Sequence, residues 1–188
     1  MKMLELVTAL AVGVVLNIPA QGQPGSHVPW GIENSVGCVA MKHAVGPSMS
    51  ESWIVGGNEY YEWVMAVSAS YAIGLTGASY STGQGGFIPN YELMTLGAGI
   101  RGKLPMTGKL RLDAVALANV GFWNVHELRS NDVFSVGVIT FPVSGEICLR
   151  YLMTEKMSLG LYLRGNCIIE KNVIPMFGVG LTTSVQVF

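Results

Sequence analysis

The chain has 188 residues, half of them apolar and only 12% charged, with a mean hydropathy of +0.43; the length suits one domain. A formal net charge of −1 with no basic patch excludes a nucleic-acid binder. Beyond the N-terminus no apolar run reaches the roughly 18 residues of a spanning helix, so a membrane protein of this composition must cross as a closed barrel.

Residues 1–22 read in two ways. As an export signal they offer Lys2, an apolar stretch over 6–18 and a small-residue cleavage site at Ala20-Gln21-Gly22, with Glu5 an awkward neighbour. As a first strand they put Leu4, Leu6, Leu10 and Val12 on one face and Glu5 on the other, and would pair with a strand over 36–55. The signal reading draws both opening strands from 23–58 instead. The barrel domain covers 23–188.

From residue 61 onward the pattern has period two, which sends alternate side chains to opposite faces of a strand. Segment 61–79 sets Trp63, Met65, Val67, Ala69, Tyr71 and Ile73 against Glu62, Ala66, Ser68, Ser70 and Gly74. Segment 92–104 sets Met94, Leu96, Ala98 and Ile100 against Thr95, Gly97, Gly99, Arg101 and Lys103. In 109–122 Leu110, Leu112, Ala116 and Val120 oppose Arg111, Asp113 and Asn119. Segment 133–153 keeps one parity, Ile139, Phe141, Ile147 and Leu149 against Thr140, Glu146 and Arg150. Met157, Leu159, Leu161 and Leu163 oppose Ser158, Gly160, Tyr162 and Arg164, and a last strand sets Phe177, Val179 and Leu181 against Gly178, Gly180 and Thr182. The apolar faces are expected to be free of charge. A soluble barrel of lipocalin type would turn its greasy face inward and carry charge outside. This pattern predicts lipid outside and a narrow lumen inside.

Short polar links at 105–108 (PMTG) and 154–156 (TEK) alternate with longer ones at 82–89, 124–132 and 165–174. That alternation predicts tight periplasmic turns and external loops, with Phe87, Phe122, Trp123 and Phe177 as an interfacial girdle at the external end. Six strands after residue 61 and two before it give an all-β, antiparallel up-and-down transmembrane β-barrel of eight strands.

The phrases GAGIRGKLPMTGKLRLDAVALANVGFW and GEICLRYLMTEKMSLGLYLRG, with a Gly-rich final strand ending in Phe188, make the chain resemble the small bacterial outer-membrane β-barrels of OmpA- and OmpW-like type. The resemblance implies residence in the bacterial outer membrane, contact with its lipid, and delivery by periplasmic chaperones and the barrel-assembly machinery.

Gly97, Gly99 and Gly102 spell G-x-G-x-x-G, but no helix follows to hold a pyrophosphate; glycines making room on a lumen face is the better reading. Cys38, Cys148 and Cys167 lie too far apart for a C-x-x-C site, and one disulfide would leave an odd thiol. No cofactor or metal is expected. His126 and Glu127, with Asn124 nearby and Arg129 beyond, fall in a predicted external loop. A histidine beside a carboxylate can act as a general base, yet no nucleophile motif accompanies it, and a solvated loop histidine is the plainer reading. His27 and His43 show no partner.

The lumen charges carry the most chemistry. Glu62, Arg101, Arg111, Asp113, Glu146 and Arg150 face inward by parity, towards the periplasmic strand ends. Opposite charges at one depth can form an ion-pair plug or a selective constriction. Eight strands leave room only for side chains, which favours the plug, with Arg111 and Arg150 pairing to Asp113 or Glu146. The function expected is a non-enzymatic barrel binding an external partner through its loops. The alternatives are a porin-like transport barrel for small or hydrophobic solutes and, third, a lipid-modifying enzyme resting on His126–Glu127.

Overall fold

The computed structural model describes residues 30–41, 43–75, 89–129, 132–169 and 173–186, and for 89, 127–129 and 132–136 the backbone alone. The described residues form antiparallel strands: β1 (Gly31–Met41), β2 (Ala44–Gly57), β3 (Tyr61–Gly74), β4 (Pro89–Pro105), β5 (Leu110–Arg129), β6 (Asp132–Thr140), β7 (Val143–Leu152), β8 (Met157–Ile169) and β9 (Val173–Gln186). Each strand pairs with the next except β6 and β7, which both pair with β5, and β1 pairs with β9 from Gly31↔Gln186 to Ala40↔Phe177, which closes the barrel.

The barrel has eight staves because β6 and β7 make one. Both pair with β5 in a single register, Gly121↔Thr140 and Ala118↔Val143, with only Phe141 and Pro142 between them. Pro142 accepts the Asn119 N–H at 3.0 Å but has no N–H to return, so the ladder skips a rung without a shift in register.

Both staves before Tyr61 are β1 and β2, within the stretch 23–58 from which the signal reading draws them; the single strand over 36–55 of the other reading is instead parts of two. The chain turns between Met41 and Ala44, a facing pair, and the outward parity flips from Val36 and Cys38 to Val45 and Met49. A two-residue turn produces that flip. The eight staves are complete without residues 1–22, which lie outside the described residues.

The turns at one end, called lower here, are tight. Asn58 Oδ1 accepts the N–H groups of Tyr60 and Tyr61 at 2.8 and 3.0 Å, and Thr154 Oγ1 accepts those of Lys156 and Met157 at 3.2 and 3.0 Å. Such side-chain-to-backbone bonds preform a turn. Between β4 and β5 the reversal needs Gly108, whose φ is 56°.

The distribution of polarity is inside out for a protein in water. Val36, Met49, Trp63, Leu161, Phe177 and Leu181 are exposed on the outer wall, while Glu33, Glu62, Arg101, Asp113 and Arg150 are buried. An outer band of apolar residues around a polar interior is the surface of a barrel standing in lipid. Tyr61, Trp63 and Tyr151 mark its lower edge, and Phe141 and Phe177, with half-buried Phe122, face out nearer the other end. Trp123 does not join that girdle: it points inward, buried, and stacks on Tyr91 at 5.3 Å between ring centroids. Phe87 lies outside the described residues.

Two other expectations change. The outer face is not free of charge, because Glu51 points outward from the middle of β2 and Glu92 from β4, in register with Tyr71 and Asn124. Two of the predicted upper loops are mostly strand. β5 runs to Arg129 and β6 starts at Asp132, so 124–129 are wall; β8 runs to Ile169 and β9 starts at Val173, so Cys167 is wall too. Of 82–89, only Pro89 is described, and it opens β4.

Candidate functional site: the filled lumen

The inner wall is polar where glycines, serines and threonines leave room for longer side chains from opposite staves. A Cβ on Gly160 would stand 2.6 Å from Cys148 Sγ and 3.2 Å from Arg150 Cγ; glycine there lets Arg150 cross the lumen. A Cβ on Gly37 or Gly180 would stand 2.6 or 2.8 Å from the hydroxyl of Tyr162, which lies across both.

At the lower end these side chains meet as a plug of three carboxylates and four cations. Arg101 donates to Glu33 at 2.8 Å and to Glu62 at 3.2 Å, with its Nε 3.9 Å from Asp113. Arg150 donates from Nε to Asp113 at 2.5 Å, and its Nη2 lies 2.6 Å from Glu33. Arg111 binds both oxygens of Asp113, at 2.7 and 3.0 Å, and Lys103 reaches Glu62 at 3.0 Å. Asp113, Glu62 and Arg150 are 0% exposed, so each charge depends on its partners rather than on water.

Above the plug, among the described side chains, the filling is neutral except for one pair. Glu146 takes two nitrogens of Arg164, at 2.8 and 2.6 Å, and Arg164 donates on to Ser50 at 2.9 Å. The Arg164 guanidinium also sits 5.1 Å from the centre of the Tyr162 ring. Asn119 donates to the Pro142 carbonyl at 3.1 Å and to Ser144 at 2.9 Å, and Ser144 donates to Asn166 at 2.7 Å. A void of about 10 Å³ beside Asn119, Ser144, Arg164 and Asn166 is close to the size of one water. Higher still the interior turns apolar: Val39, Ala44, Ala72, Leu93, Trp123, Ile168 and Met176 pack together, with Met41, Tyr91, Val125 and Ile174 against them.

The structure therefore gathers Glu62, Arg101, Arg111, Asp113 and Arg150 and sets Glu146 apart, with Arg164 rather than Arg111 or Arg150 as its partner. Sequence reasoning missed Glu33, which bridges both buried guanidiniums. The signal was present in Gly31, Glu33, Ser35 and Gly37 as an inward set, but Asn34, Cys38 and Ala40 weaken the opposing apolar set. Lys103 and Arg164 had inward parity and were not joined to any cluster.

His126, Glu127 and Arg129 are strand residues of β5, paired with Ser135, Phe134 and Asp132; the ladder simply continues past the apolar band. The side chains of Glu127 and Arg129 lie outside the described residues. His126 points outward, its Nε2 3.1 Å from Glu92 and 3.2 Å from the Asn124 amide, so its described carboxylate neighbour is across the strand pair rather than next in sequence. All three cysteines are free, and no group of three or more metal-ligating side chains occurs among the described residues.

No family model and no curated protein matches the sequence. Solved structures do. Neisserial surface protein A superposes with a TM-score of 0.59 at 12% identity, covering 85% of this chain and 97% of that one. A major outer membrane protein of Thermus thermophilus gives 0.57 at 8% identity, over 84% and 99%. Ail, the attachment invasion locus protein of Yersinia pestis, gives 0.55 at 8% identity, over 86% and 100%. With strand count, closure and an apolar outer wall in agreement, the chain has the fold of the small eight-stranded barrels of the bacterial outer membrane.

Proposed function

We propose that the protein is a closed, non-enzymatic outer-membrane barrel that acts by binding an external partner at its upper rim. One observation carries this reading: the lumen is blocked twice, by the ion-pair plug below and the apolar cluster above. An ion would have to displace groups that hold one another at 2.5–3.2 Å and then pass a layer packed mainly from hydrocarbon side chains. Neisserial surface protein A is named for the cell surface and Ail for attachment, roles that need no pore. Residues 1–22 serve as the export signal in this proposal, since the staves are complete without them, and chaperones and the barrel-assembly machinery receive the exported chain.

The test is electrical. Wild-type protein, shown folded by heat-modifiable migration, should give no steady conductance in planar bilayers. Long-lived open channels would overturn the closed-barrel reading and favour transport.

A further inference from the structure

The outer wall carries one polar row inside its apolar band. Asn34 of β1 stands in register with Thr183 of β9 on one side and Glu51 of β2 on the other, and all three side chains are exposed on the outer face. Apolar rows enclose them, Val185, Ile32 and Trp53 below and Leu181, Val36 and Met49 above. Among the described residues neither the Asn34 amide nor the Glu51 carboxyl has a hydrogen-bond or ion-pair partner. Both therefore meet hydrocarbon with their polar groups unused. An acid on the lipid face lowers the stability of a barrel, and ionisable groups at membrane depth generally stand opposite a partner.

We propose that this row is the centre of an interface between two copies of the barrel, in which the Asn34 amide of each donates to the Glu51 carboxyl of the other. The inference rests on the placement of the barrel in lipid and is independent of what the upper rim binds. Two barrels inserted the same way are related by a two-fold axis along the membrane normal, and such an axis exchanges left and right on the facing walls. With the axis between β1 and β2, β1 of one copy faces β2 of the other. Each Asn34 then lies opposite the other copy's Glu51, the reciprocal contact that an isologous interface requires. A second copy is the occupant because the row holds a donor beside an acceptor, in the order that the axis presents to itself. In either protonation state the carboxyl keeps an oxygen that accepts. The adjoining rows match by the same operation, Val36 against Met49 and Ile32 against Trp53, so apolar packing surrounds the hydrogen bonds. Within lipid, where burial of apolar surface drives no association, close packing and hydrogen bonds are what hold spanning segments together.

The protein, with its native cysteines replaced and Thr107→Cys added for labelling, is reconstituted in phosphatidylcholine vesicles as a mixture of donor- and acceptor-labelled barrels. Energy transfer is followed as added lipid dilutes the protein, and heat-modifiable migration shows that each variant is folded. This parent should show transfer that falls away on dilution, as a reversible dimer does. Glu51→Leu should raise the dissociation constant by about tenfold and also make the barrel harder to unfold in urea, because it takes a carboxyl off the lipid face. Glu51→Gln keeps an acceptor and should keep the dimer. Asn34→Glu sets carboxyl against carboxyl and should abolish transfer, while adding Glu51→Asn to it exchanges the two sides and should bring transfer back. If Asn34→Glu does not fold, Asn34→Leu replaces it and should weaken the dimer as Glu51→Leu does. Ala116→Leu, on β5 across the barrel, should leave transfer as it was. Transfer no greater than chance proximity gives at the same dilution would overturn the interface. A dimer that Glu51→Leu leaves intact, or that the exchange does not restore, would overturn the assignment to this row.

Discussion

Arg150 shows what a buried charge is worth in this lumen. Its guanidinium faces Asp113 and Glu33 with no solvent access, so the Arg150→Met variant leaves two carboxylates to share Arg101 and Arg111. Breaking a buried pair from one side costs about 3–5 kcal/mol, and urea unfolding from vesicles should show a loss of that order; a variant as stable as wild type would mean the plug contributes nothing. Glu146 and Arg164 form a more isolated pair. Exchanging them, with Glu146→Arg and Arg164→Glu together, should recover most of what either single change loses. At this scale parity was an adequate guide to which charges point inward and a poor one to which of them meet. Parity fixes the face of a strand; the register between staves fixes the partners, and nothing in the sequence states that Glu33 of β1 stands level with Arg150 of β7.

Single strands were legible wherever lipid demands an apolar outer face. β7 alternates from Val143 to Tyr151 and β8 from Met157 to Leu163, and the alternation is itself the consequence of lipid on one side and packed polar groups on the other. The upper halves of β5 and β8 were not legible. Above the apolar band the outer positions can be Asn124 or His126 while the ladder continues, and a polar outer residue then looks the same in a wall as in a loop. Glu92 shows the reverse error, an acid inside a strand that shares the parity of Met94 and Leu96. Residues 115 and 116 test the assignment of faces. Ala116 is exposed on the outer wall and Val115 is buried, in register with Glu146. Ala116→Arg should cost about 2–4 kcal/mol of barrel stability, while Val115→Arg gains a carboxylate neighbour and should lose less. Equal folded fractions in liposomes at both sites would mean the faces are wrongly assigned.

For the molecule as a whole, eight staves and antiparallel closure could be counted from strand and link lengths, but the way they were supplied could not. The closing pair β1–β9 joins a weakly alternating strand to the Gly-rich last one, and the β1–β2 turn is hidden in a parity flip. Orientation is inferred from the longest link, 75–88 between β3 and β4, which leaves the upper end, since the longer links of such barrels face outside. The link at 130–131 should then face the outside of the cell and the turn before Leu110 the periplasm. With the native cysteines replaced, Ser130→Cys on intact cells should react with an impermeant maleimide and Thr107→Cys should not. The opposite pattern would invert the barrel.

The three free thiols have a consequence for how the chain must be handled on its way to the membrane. Cys38 on β1 and Cys167 on β8 both point outward, but β9 stands between their strands, and two strand spacings of about 4.8 Å exceed the roughly 7 Å limit for bridging Cα atoms. Cys148 points into the lumen, on the other side of the wall. In the closed barrel none of them can find another. In the unfolded chain any two can, and an oxidising periplasm would cross-link them into a loop that no arrangement of the staves accommodates. Closure and oxidation are thus competing fates of the same chain, and the first removes the substrate of the second.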